Sequence, residues 1–113
     1  MQVTIKGTQI GLTPSIKAYI DEKVGSLGKL LTSFEKDAVV EVSVEIARTT
    51  RHHHKGDVFR AEANLSLPGK MLRAEKIATD MHTAIDRMQG TLRLEITKYK
   101  ATHLMRRILR RNH

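Results

Sequence analysis

The groups in this chain that could do chemistry are few. They are His52, His53 and His54 in a row, and Asp80 and Asp86 on either side of His82. Three adjacent histidines rarely converge on one ion, because metal sites draw their ligands from spaced positions held by an oriented outer shell. No cysteine is present to complete a ligand set. The run reads as an exposed hairpin loop whose charge rises below about pH 6.5. Asp80 and Asp86 stand six residues apart, so on a helix their side chains diverge by roughly 120° and cannot share acid–base work. Asp80 serves more simply as a cap that complements a helix dipole. His82 reads as a half-buried packing residue. No catalytic residue, metal site or cofactor is expected.

What remains is charge. Lys and Arg number 20 against 12 Asp and Glu, a formal charge of +8. Such an excess favours nucleic acid or an anionic surface over a basic protein as partner. Two Phe, two Tyr and no Trp leave few rings for stacking bases, which argues against a single-strand binder of the stacking kind. No apolar run approaches the ~18 residues of a membrane-spanning helix, and Met1–Lys6 is no signal peptide. A soluble, cytoplasmic protein without membrane or small-molecule partner is expected.

The elements that must carry this charge follow from periodicity. The stretch from Thr79 to about Tyr99 predicts a long amphipathic helix, capped by Thr79 or Asp80. Met81, Ala84, Ile85, Met88, Leu92, Ile96 and Tyr99 recur every three or four residues and form one apolar stripe. Arg87 and Lys98 fall on the opposite face, with Arg93 and Lys100 on a flank. Upstream, Gln2–Lys6 alternates as a short strand. Thr13-Pro14 opens a first helix, with Ile16, Tyr19, Ile20, Val24, Leu27 and Leu31 at helical spacing. Gly25 and Gly28 weaken it, either for close packing or because it frays near Leu30. Ala38–Ala47 and Val58–Leu67 alternate as strands, Pro68-Gly69 marks a turn, and Met71–Lys76 reads as the last strand. The chain is therefore expected to be α+β, in the order β-α-β-β-β-α. Its four-stranded sheet would carry both helices on one face. Residues 1–100 would form the domain and 101–113 a basic C-terminal extension, either helical or loose.

Three segments carry a resemblance over roughly residues 1–100. They are M-Q-V-T-I-K-G at the start, G-L-T-P-S-I-K-A-Y-I-D-E-K-V after it, and D-M-H-T-A-I-D from Asp80 to Asp86. Together with the strand order, they resemble the ribosome hibernation promoting factor and ribosome-associated inhibitor family, also called sigma-54 modulation proteins. The resemblance implies binding to small-subunit ribosomal RNA along the channel used by mRNA and tRNA, and translational silencing without chemistry. It implies contacts through Lys17, Lys23 and Lys29 of the first helix and Lys98 and Lys100 of the second. Arg87 and Arg93 stand in from neighbouring positions. His82 occupies a usual Tyr position and Ser26 a common Lys position. Thr91, Leu94 and Glu95 replace a Lys, an Arg and a Gln, so the basic set is thinned at its centre. The likeness is to short members, without the further C-terminal domain by which long members pair ribosomes.

Two alternatives stay open at this stage. A general structured-RNA module would show the same charge without preference for the ribosome. A small nuclease would need a constellation that the loop histidines and separated acids do not supply. Leu94, Leu104, Met105, Ile108 and Leu109 form either scatter on a frayed helix or a second apolar stripe for a partner or for self-association through the extension.

Overall fold

Alternation along the strands decides which side of the sheet meets water. Val42, Val44 and Ile46 of one strand, and Ala61, Ala63, Leu65 and Leu67 of the next, are buried on a common side. The computed structural model describes residues 1–35, 39–49 and 58–111. The strands are β1 (Gln2–Thr8), β2 (Glu41–Thr49), β3 (Val58–Leu67) and β4 (Lys70–Ala78). They lie in the order β1-β2-β3-β4. β1 runs parallel to β2, with Val3 opposite Val42 and Ile5 opposite Val44. β2, β3 and β4 form an antiparallel meander, with Val44 opposite Ala63 and Ala63 opposite Ala74. A parallel pair needs a crossover connection, and helix α1 (Pro14–Gly25) supplies it. Helix α2 (Met81–Arg111) follows β4, and this is the β-α-β-β-β-α arrangement expected.

β3 keeps the expected bounds, Val58–Leu67, while β1, β2 and β4 outrun their predicted ends because pairing continues. Gly7 and Thr8 pair with Ile46 and Ala47, and Ile77 and Ala78 pair with Arg60 and Phe59. β2 starts at Glu41 rather than at Ala38 and continues to Thr49, whose hydroxyl donates to the Val58 carbonyl at 3.2 Å. Residues 36–38, and the expected loop with His52, His53 and His54, lie outside the described residues. After β1 the chain reverses sharply, with Gln9 at φ 57°. A Cβ on Gly7 would stand 2.7 Å from the Ile10 carbonyl oxygen, so only glycine fits there. Gly69, at φ 72°, makes the tight β3–β4 turn.

The helix boundaries follow from capping chemistry. The Ile16 amide donates to Thr13 Oγ1 at 3.2 Å, and Pro14 takes the first helical position. At Ser26 α1 tightens into a 3-10 turn, Ser26–Leu30, which keeps Leu27 buried. The chain tightens here rather than fraying. Asp80 caps α2, accepting from the Thr83 amide and hydroxyl, both at 2.9 Å. Ile20, Val24, Leu27 and Leu31 from the first helical segment meet Ala84, Ile85, Met88, Leu92 and Ile96 of α2 over the sheet. Burying such side chains contributes about 1.5–3 kcal/mol each. α2 does not stop at Tyr99. It continues as one helix to Arg111, and every residue from Ala101 to Arg111 is exposed. The helix leaves the body and gives the molecule a long axis of 58 Å against 29 and 18 Å.

Candidate nucleic-acid interface

The cations expected to meet RNA sit on α1, the 3-10 turn and α2, which lie side by side on the sheet. α2 alone holds eight Lys and Arg against two carboxylates, Asp86 and Glu95. The two helices are joined where His82, Asp86 and Gln89 face Tyr19, Lys23 and Ser26. The Tyr19 and His82 rings meet edge to face at 4.6 Å. Tyr19 donates its hydroxyl to Asp86 Oδ1. That hydrogen bond, with burial and nearby negative charge adding to it, pushes the phenol up to about 12. Lys23 Nζ lies 3.5 Å from the same carboxylate and 5.5 Å from the Tyr19 ring centre. Further along, Gln89 donates to Ser26 Oγ at 3.4 Å.

The expected residues therefore divide. Lys17, Lys29, Arg87 and Arg93 are exposed and meet no carboxylate among the described residues. Lys98 is exposed too, with only a loose pair to Glu95 at 3.6 Å, one turn back on the same helix. Lys100 is half-buried on the flank. Lys23 departs most from expectation. Its ammonium is committed to Asp86 and Tyr19 and joins the two helices, so it is less available to a phosphate. His82 also corrects its reading. It is exposed, with its ring set edge to face against Tyr19.

Sequence reasoning missed a second basic site at the far end of the body. Phe34, Tyr99 and His103 cluster there, with Tyr99 and His103 stacked at 6.0 Å and Phe34 tilted against Tyr99 and edge to face with His103. Tyr99 donates its hydroxyl to the Pro68 carbonyl at 3.0 Å, fixing the β3–β4 turn beneath the helix. A cleft opens beside this contact, lined in part by Lys70, Lys98, Arg106 and Arg107. The available signal was the helical period itself, because Tyr99 plus four is His103 and plus seven is Arg106.

The outer face of the sheet is different in kind. Arg60 bridges Glu45, Glu62 and Glu75, and Arg73 bridges Glu62 and Glu75. Hydrogen bonds from Thr8 and Arg60 hold the Glu45 carboxyl below the usual range. Asn64, with Arg73 adding to it, does the same for Glu62. These charges satisfy one another. Among the described residues no group of three His, Asp or Glu side chains could hold a metal ion, and no helix is long and apolar enough to cross a membrane.

Comparison with known proteins places the chain. Solved structures share the fold. The Protein Y N-terminal domain of Thermus thermophilus matches with a TM-score of 0.71 at 23% identity, covering 88% of this chain and 99% of that one. A ribosomal subunit interface protein from Coxiella burnetii matches with a TM-score of 0.70 at 19% identity, covering 89% and 99%. Among curated relatives, the ribosome hibernation promoting factor of Acidithiobacillus ferridurans is 35% identical over 86 residues, covering 76% of this chain and all of that one. The ribosome hibernation promotion factor of Deinococcus radiodurans is 28% identical over 103 residues, covering 91% of this chain. That of Lactococcus lactis is 31% identical, covering 88%. The chain spans about half the length of these last two relatives. The family model described as sigma 54 modulation protein / S30EA ribosomal protein matches residues 3–103. With that match over most of its length, the chain belongs to the sigma 54 modulation protein / S30EA ribosomal protein family.

Proposed function

We propose that this chain is a ribosome hibernation factor, which silences translation in stress or slow growth by occupying the small subunit where mRNA and tRNA belong. The observation that carries the reading is the contrast in charge pairing. Arg87 and Arg93 on α2, with Lys17 and Lys29 nearby, are exposed and meet no carboxylate among the described residues, while the sheet face neutralises itself. Phosphates supply the missing negative charge, and released counterions supply much of the affinity. Recognition of shape and phosphate suits folded RNA, whose deep major groove hides base edges. The mechanism is occlusion, with no bond made or broken. The names of the relatives support the ribosome as partner. The cytoplasm is the compartment this role requires.

Co-sedimentation with small subunits, large subunits and whole ribosomes across a salt series tests the proposal. Stoichiometric binding to the small subunit that persists at moderate salt and yields to tRNA is the expected result. Binding spread over both subunits and lost with modest salt overturns it, and leaves a general structured-RNA module.

A further inference from the structure

The apolar pattern of α2 changes sides partway along the helix. Ile85, Met88, Leu92 and Ile96 are buried against the sheet, and Tyr99 packs partly against the same core. At about 100° per residue, the next positions on that side are His103, Arg106 and Arg110. The opposite side, which faces away from the body, carries Leu94, Ala101 and Ile108 seven residues apart, with Leu104 and Met105 between them. These large side chains stand in water. Leu94 is 62% exposed, Leu104 and Met105 57% each, and Ile108 43%. Leu94, Ala101, Leu104 and Ile108, with Thr97 between the first two, fall on the two inward positions of a seven-residue repeat, the pattern by which one helix packs on another. Among the described residues the hydrogen bonds that join α2 to α1 and the 3-10 turn run no further along α2 than Gln89, and the seam begins beyond them.

The flanks of the seam decide its occupant. Arg93, Lys100 and Arg107 form a row, also seven apart, along one edge, and Lys98 borders the other. No Asp or Glu occurs after Glu95. Flanking charges set partner choice in paired helices. A second copy is a poor occupant, because antiparallel pairing sets the cationic row against itself and parallel pairing sets it against Lys98. A flat lipid surface is also a poor fit. The seam is centred on Ala101 and has no aromatic anchor, and Arg106 and Arg110 point back toward the body rather than beside the seam. We infer that the outer face of α2 from Leu94 to Ile108 docks an acidic amphipathic helix of another protein. The partner's apolar residues would pack on the seam, and its Asp and Glu would lie along Arg93, Lys100 and Arg107. This goes beyond the RNA reading and does not depend on it.

The test needs no ribosome. The probe is a synthetic three-heptad peptide with Leu at the seam positions and Glu at the flanking ones, titrated against the full chain by calorimetry. The expected result is saturable one-to-one binding. A scrambled peptide of the same composition should bind at least about tenfold more weakly, since the seam adds apolar contact to charge. Leu104→Gln with Ile108→Gln should abolish the difference between the two peptides. Both residues lie outside the core, and Gln keeps helix propensity, which circular dichroism verifies. Lys100→Glu with Arg107→Glu should transfer the preference to a peptide with Lys flanks. Equal binding of the scrambled peptide overturns the inference, leaving charge attraction alone. So does concentration-dependent dimerisation of the chain that disappears in the Gln variant. Binding to anionic lipid vesicles, lost in the same variant, overturns it as well.

Discussion

The two broad faces of this molecule carry similar residue types and use them in opposite ways. On the outer face of the sheet, two arginines and three glutamates interlock across β2, β3 and β4, with Arg73 reaching Glu75 at 2.8 Å and Glu62 at 3.2 Å. On the outer face of α2, the cations outnumber the acids and most reach none of them. Geometry explains the difference. Strand register places side chains of adjacent strands about 5 Å apart on one face, so opposite charges meet whenever the sequence supplies both. Residues on one helix meet only at spacings of three and four. From Lys100 onward, α2 offers no acid at either spacing. The lesson is that net charge locates a site poorly, whereas unpaired charge locates it well.

The largest effect should come from reversing the unpaired set. Arg87→Glu with Arg93→Glu should weaken small-subunit association by about a hundredfold and reduce the salt slope by about two, with unchanged thermal stability. Co-sedimentation at several salt concentrations reads both quantities. Equal loss on altering the sheet face would break the comparison. Next comes the paired face. Arg60→Met leaves Glu45, Glu62 and Glu75 without their shared cation, and should cost about 1–2 kcal/mol in urea unfolding while leaving ribosome binding intact. The pH dependence sharpens this. Glu45 and Glu62 have depressed folded pKa values, so their contribution is present above the ordinary carboxylate range and is lost as pH falls through the folded values. Acid unfolding of Arg60→Met should therefore depend less on pH than that of the parent.

The smallest effect lies where the helices join. Tyr19 is raised to about 12, so the neutral phenol is favoured in the folded state. Its contribution is complete below the ordinary tyrosine value near 10 and is lost as pH rises from there toward 12. Asp86→Asn should bring the Tyr19 titration back toward the ordinary value, followed by tyrosinate absorbance with Tyr19→Phe as the reference. An unmoved titration would mean that the carboxylate does not hold the hydroxyl.

Most of the fold was legible because its signals are local. Val42, Val44 and Ile46 announce a buried strand face by alternation, and Thr13-Pro14 announces a helix start by capping chemistry. Strand ends were less legible. Gly7, Thr8, Ile77 and Ala78 join the sheet only because a partner strand is there to receive them. The candidate site was legible in part. The exposed cations on α2 could be read from their phase against the apolar stripe. That Lys23 is tied to Asp86 could not, because the two lie 63 positions apart and meet only when the helices pack. The length of α2 was also hidden, since its apolar residues after Tyr99 no longer follow the stripe that defined it.

That change of phase divides one unbroken helix into two regimes of motion. From Ala84 to Ile96 the backbone hydrogen bonds are covered by the sheet, and amide hydrogens there should exchange with deuterium only on global unfolding. From Ala101 to Arg111 the ring contact of His103 with Phe34 is the one aromatic contact among the described residues that ties the helix to the body, and past it the helix rests on its own propensity, helped by Arg110 and Arg111 at the negative end of the dipole. Exchange should therefore quicken turn by turn along the extension. A binding partner would announce itself as protection climbing back toward Arg111, so the extension doubles as a built-in reporter of its own occupancy.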